Sequence, residues 1–196
     1  MRSLTNPTGA PVRRSARDAY WTPPHLTQAL LDLVPEVRGT VWEPCAGAGW
    51  MLDVLDAQGP RVAYGTDVLP QREDIREHDF LADDWRDVHP FDPPDWIVTN
   101  PPFVLGADIL RHALSITPRV ALLVRMTFLE ATRDRADLLA ENPPARIIVL
   151  PRTEFPRADD RPQRGTDSVP PVWLVWGVPP CPVQWGCRPE GQARLL

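Results

Sequence analysis

The residues best placed to do chemistry stand where an apolar run stops. D-W-I-V-T-N-P-P-F, residues 95–103, carries a short hydrophobic segment into Asn100, two prolines and Phe103. Asparagine presents a carbonyl oxygen that accepts hydrogen bonds, and consecutive prolines fix the backbone and remove its donors. The Asn100 side-chain oxygen and the Pro101 carbonyl can then both accept from one –NH2 group. An amino group on an aromatic ring or an amide is a poor nucleophile, because its lone pair is delocalised. Two acceptors on its N–H groups draw the nitrogen toward tetrahedral geometry and free that lone pair for attack. Catalysis of this kind rests on positioning and oriented acceptors, without a strong base. Phe103 supplies a flat face for a base turned out of its stack. The plainer reading is a strand-ending turn, for which Asn-Pro is common.

A second group of residues lies upstream. V-W-E-P-C-A-G-A-G-W-M-L-D-V-L, residues 41–55, reads as strand, glycine loop and helix. Gly47 and Gly49 permit a tight turn and close approach of backbone to ligand, with a helix N-terminus behind them. A dinucleotide fingerprint would need a third glycine where Leu52 stands, so a pyrophosphate cofactor fits less well. Asp67 closes the next strand, placed to accept from ribose hydroxyls. In H-D-F-L, residues 78–81, Asp79 is placed to accept from an adenine amino group and Phe80 to pack on its ring. Acids at successive strand ends outline a nucleoside site. Joined to the amino clamp, they point to a nucleoside methyl donor, S-adenosylmethionine, whose sulfonium gives up its methyl and leaves as a neutral thioether.

These motifs resemble those of the class I DNA N6-adenine methyltransferases, over residues 20–126 and in the family's order with the cofactor loop first. Tyr20 to Pro24, Y-W-T-P-P, is similar to the upstream T-P motif. E-P-C-A-G-A-G is similar to the motif that sets an acid before the glycines, and N-P-P-F is the catalytic tetrapeptide. The resemblance implies cofactor contacts from Tyr20, Thr22, Pro23, Glu43, Cys45, Gly47, Gly49, Asp67, Asp79, Phe80 and Asn100. It implies that Asn100, Pro101, Pro102 and Phe103 hold the target. Cys45 reads equally as a small space-filling residue. Adenine N6 in DNA is the leading acceptor. RNA adenine, a protein glutamine amide, and a non-catalytic nucleic-acid-binding module of the same fold are the alternatives.

The elements that must position these residues follow from periodicity. Helical spacing appears at 27–34, 48–58, 106–115 and 132–140, and apolar strand runs at 40–43, 61–66, 96–99, 120–126, 146–150 and 172–177. A third short strand precedes residues 78–81. Strands alternating with helices imply an α/β fold, Rossmann-like, with a mostly parallel seven-stranded sheet and helices on both faces. Residues 1–18 read as a mobile arm, 19–178 as one methyltransferase domain, and 179–196 as a loosely packed Pro/Gly-rich tail. The 25 prolines punctuate these boundaries, many of them in pairs.

Composition narrows the partners. Net charge is −5, which excludes coating of nucleic acid by bulk electrostatics. All 21 basic residues are arginine, and local arginine-bearing stretches occur at 1–20 and 111–135. The connection from Pro151 to Pro171 has no helical pattern and carries Arg152, Arg161 and Arg164, expected substrate contacts. No segment of domain size is left over for target recognition, so tight specificity is expected to need a partner protein. The three cysteines form no metal-ligand spacing with the four histidines, and no metal is expected. Without an apolar leader or membrane-length run, a cytoplasmic setting is expected.

Overall fold

Pro24 sets where the first helix begins. A computed structural model describes residues 20–57, 61–82, 84–88, 93–130, 133–156 and 168–186. The expected arm at 1–18 and most of the expected tail lie outside the described residues. Helix α1 runs over Pro24–Leu33, a turn earlier than its apolar spacing suggested, with proline in the first turn where its missing N–H costs nothing. It is followed by β1 (Gly39–Glu43), α2 (Trp50–Ala57), β2 (Arg61–Asp67), β3 (Arg76–Glu77) and β4 (Trp96–Thr99). Then come α3 (Gly106–Ile116), β5 (Val120–Arg125), α4 (Arg133–Glu141), β6 (Arg146–Val149), β7 (Pro171–Val175) and β8 (Gln184–Trp185).

The strands form one sheet in the order β3-β2-β1-β4-β5-β7-β6-β8. From β3 to β5 every pairing is parallel, whereas β7 inserts antiparallel to both β5 and β6. No helix joins β6 to β7 among the described residues, and an antiparallel return needs none. Among the described residues the sheet has eight strands and not seven. The addition is β8, whose two residues pair with β6 and come from the segment expected to pack loosely.

Strand side chains alternate between two cores. Trp96 and Val98 of β4 point with Val41, Leu30 and Leu55 toward α1 and α2. Ile97 points the other way, with Trp42, Leu110 and Leu122, toward α3. Each fully buried Leu or Ile contributes about 1.5–3 kcal/mol. The three tryptophans at 0% exposure keep their polar handle. Trp42 Nε1 donates to Thr66 Oγ1 at 3.1 Å, Trp96 Nε1 to the Glu36 carbonyl at 3.1 Å, and Trp173 Nε1 to the Leu26 carbonyl at 2.8 Å. The strand order reverses between β1 and β4. In open α/β sheets a ligand crevice forms at the carboxyl ends of the strands flanking such a reversal, and here those ends lead into Glu43 and Asn100.

Candidate functional site

The loop after β1 is shaped by two left-handed residues, Gly47 at φ 53° and Gly49 at φ 79°. A side chain at Gly49 would also collide, since its Cβ would lie 2.5 Å from Arg72 Cζ. Asp67, at the end of β2, fastens this loop. It accepts from the Gly47 amide at 2.8 Å and the Leu69 amide at 2.9 Å. Arg72 closes the loop from outside. It donates to Asp53 at 2.6 Å, to Asp74 at 2.6 and 2.9 Å, and to the Gly49 carbonyl at 3.3 Å. Nothing local in the sequence marks Arg72, because Asp53 and the Gly49 carbonyl lie about twenty residues upstream of it.

Glu43 is the most perturbed acid. It is 2% exposed, and its Oε2 has no hydrogen-bond partner. Burial, then the neighbouring Asp67 charge, pushes its carboxyl well above the ordinary range. Above the loop lies the Tyr20–Pro24 strap. The Trp21 amide donates to the Pro156 carbonyl at 2.9 Å, its ring lies 5.2 Å from Trp50, and its buried Nε1 has no partner. Pro23 is buried, with its carbonyl accepting from Leu26 at the start of α1. Tyr20 stands beside Phe103, with ring centroids 5.9 Å apart, so it borders the clamp as well as the loop.

A cleft of about 440 Å³ opens beside this loop, with Pro44, Cys45, Asp79, Leu105 and Ile109 in its walls. That volume lies within the usual range for a small-molecule site. Asp79 is exposed, and its Oδ1 accepts from the Leu81 amide at 3.0 Å. Phe80 departs from expectation. It is 3% exposed, set edge-on to Trp42 at 5.1 Å and His112 at 4.7 Å, so most of its ring belongs to the core. It still contributes to the cleft wall. Cys45 is half-buried and lines the cleft.

Across the cleft is the clamp. Asn100 Nδ2 donates to Thr22 Oγ1 at 3.0 Å, which uses one of the two amide N–H bonds and fixes the orientation of the side chain. Its Oδ1 accepts nothing from the described residues, and neither does the Pro101 carbonyl. The Pro102 carbonyl, by contrast, is used by the Leu105 amide at 2.9 Å. Pro101 and Pro102 are buried, which holds the two open acceptors rigidly. Phe103 is 40% exposed, and the Arg125 guanidinium lies 4.2 Å from its ring centroid. That contact joins residues far apart in sequence and was not foreseen. Arg152 is exposed on the extended segment after β6, while Arg161 and Arg164 lie outside the described residues.

No family model matches the sequence, and no curated protein does. Solved structures do match. A Lactococcus lactis protein named as a candidate hemolysin superimposes with a TM-score of 0.55 at 16% identity, covering 89% of this chain and 93% of its own. An S-adenosylmethionine-dependent O-methyltransferase from Thermotoga maritima gives 0.52 at 15% identity, over 88% of this chain and 69% of its own. The N-terminal domain of EvdMO1, solved with S-adenosylhomocysteine bound, gives 0.50 at 14% identity, over 80% and 82%. This chain has the class I methyltransferase fold. At such identities the likeness is one of fold alone. No described helix is long and apolar enough to cross a membrane.

Proposed function

We propose that the protein is an S-adenosylmethionine-dependent N-methyltransferase acting on adenine N6, with DNA as the preferred acceptor. The observation that carries this reading is the pair of open acceptors, Asn100 Oδ1 and the Pro101 carbonyl, at the end of β4. An amino group has two N–H bonds to place on them, whereas a hydroxyl has one. Neighbours of the same fold methylate oxygen, so the acceptor must be judged from the clamp and not from the fold.

The residues present fit the cofactor. The Glu43 carboxyl, with its unpartnered buried oxygen, would meet a cationic group of the ligand. Gly47 and Gly49 let the backbone come close, Asp67 would serve the ribose, and Asp79 the adenine amino group. When bound, S-adenosylmethionine supplies an electrophilic methyl on a positively charged sulfur. Thr22 holds the Asn100 amide in the orientation that accepts from the substrate. Phe103 carries the target base, with Arg125 behind it. The test is to incubate the protein with methyl-labelled cofactor and separate DNA, RNA and protein acceptors. Label in N6-methyladenine of DNA supports the reading. Label in protein or on a hydroxyl overturns it.

A further inference from the structure

A second, smaller cavity is bordered by Phe103, which does not line the larger cleft. It encloses about 120 Å³ between Pro101, Phe103, Thr127 and Phe128, with Arg125 and Arg135 in its wall. We infer that this cavity binds one backbone phosphate of the nucleic-acid acceptor, a role that rests on the reading given under Proposed function.

Size comes first. The space is roughly a quarter of the larger cleft and is large enough for a phosphate group. Charge comes next. Two guanidinium groups line the cavity and no carboxylate does, among the described residues. Arg135 stacks over Phe128 at 5.3 Å and gives Nη2 to the Glu130 carbonyl at 2.8 Å, but its buried Nε has no partner. Asp134, the adjacent acid on α4, is held by Arg111 at 2.6 Å. Planar guanidinium forks set in apolar surroundings suit phosphate oxygens, and the Thr127 hydroxyl adds a further donor. Position comes last. A base resting against Phe103 has its own sugar-phosphate within reach of a cavity that uses Phe103 as a wall.

The probe is a single-stranded DNA oligonucleotide with one adenine, its phosphates replaced one at a time by uncharged methylphosphonate. Binding is measured against salt concentration. Arg135→Gln should flatten the slope of log affinity against log salt by about 0.7, the loss of one phosphate contact on a single strand. Arg135→Lys should keep most of the slope, and the affinity for S-adenosylhomocysteine should be unchanged in both. One methylphosphonate position near the adenine should flatten the wild-type slope by the same amount and leave the Arg135→Gln slope unaltered. If the oligonucleotide is methylated but slope and scan are the same in all three proteins, the phosphate site is wrong and the amino-methylation reading survives. If wild-type protein methylates no nucleic acid at all, both fall. Should Arg135→Gln not fold, Arg135→Met, which keeps an apolar stem over Phe128 without the charge, takes its place in the slope and the scan.

Discussion

The two sides of the Asn100 clamp are built from opposite charges. Beside the cleft stand Asp79, in its wall, and Glu43 and Asp67, buried at the ends of the strands that border it. At the cavity bordered by Phe103 stand Arg125 and Arg135, each against an aromatic ring. Buried acids are costly unless something cationic compensates them, and cations on aromatic faces favour an anionic visitor. On the function proposed above, the difference would divide one end of the fold by polarity, into a place for a positively charged donor and a place for a polyanionic acceptor. The clamp, with its unclaimed oxygens, sits on the boundary.

The boundary itself should be the most sensitive. Asn100→Ala is expected to lower the rate of methyl transfer about a hundredfold or more, since the lost acceptor acts on the developing charge at the nitrogen. Cofactor affinity should hardly move, because the amide serves the acceptor side. Single-turnover kinetics beside calorimetry checks both. Equal losses in rate and cofactor binding would place Asn100 in the cofactor cleft and erase the division.

Asp67→Ala comes next and should break the cofactor side alone. A ribose hydrogen bond to a charged group is worth about 1.5–3 kcal/mol, and the loop loses its ties to the Gly47 and Leu69 amides. Calorimetry should show weaker S-adenosylhomocysteine binding, and thermal unfolding a lower Tm. Phe103→Ala should act on the other side, raising KM for nucleic acid by the equivalent of one base-stacking contact, about 1–3 kcal/mol. Phe103→Tyr keeps the ring and should stay active. A Phe103→Ala variant with unchanged KM would show that the target base rests elsewhere.

Much of this division was legible because it is written in residue types at strand ends. Asp67, Asp79 and Asn100 follow apolar runs whose periodicity locates the strands, and the topology then gathers their ends. What escaped notice depends on partners distant in the chain. Arg72 is one of many arginines until Asp53, Asp74 and the Gly49 carbonyl converge on it. Arg125 ends an ordinary buried strand, and only the parallel pairing of β4 with β5 brings it over Phe103. Phe80 misled in the other direction. Its neighbour Asp79 is exposed, but alternation turns Phe80 inward among Trp42 and His112, where the core claims it. The short strand β8 carries too few residues for any period to register.

The smallest expected effect sharpens the comparison most, because it asks which cation the acidic side awaits. Glu43 is buried beside Asp67, and Arg72 only partly offsets their repulsion, so the folded chain holds the Glu43 proton more tightly than the unfolded chain does. Between the ordinary carboxylate range and that raised value, the folded state binds more protons. Its stability therefore falls as pH rises through this window. Glu43→Gln removes the dependence. Without cofactor the variant should be more stable than wild type at neutral pH, by on the order of 1 kcal/mol, and the gap should close as pH is lowered into the ordinary carboxylate range. Denaturant midpoints across pH measure this. Parallel pH profiles for the two proteins would mean that Glu43 is already ionised and compensated. Ligand binding should run the other way, with the variant losing affinity. S-adenosylmethionine and S-adenosylhomocysteine share an α-amino group, but only the first carries a sulfonium. A loss confined to S-adenosylmethionine assigns Glu43 to the sulfonium, and so to the reacting centre. An equal loss for both assigns it to the amino group, and leaves the methyl to be aligned by the clamp.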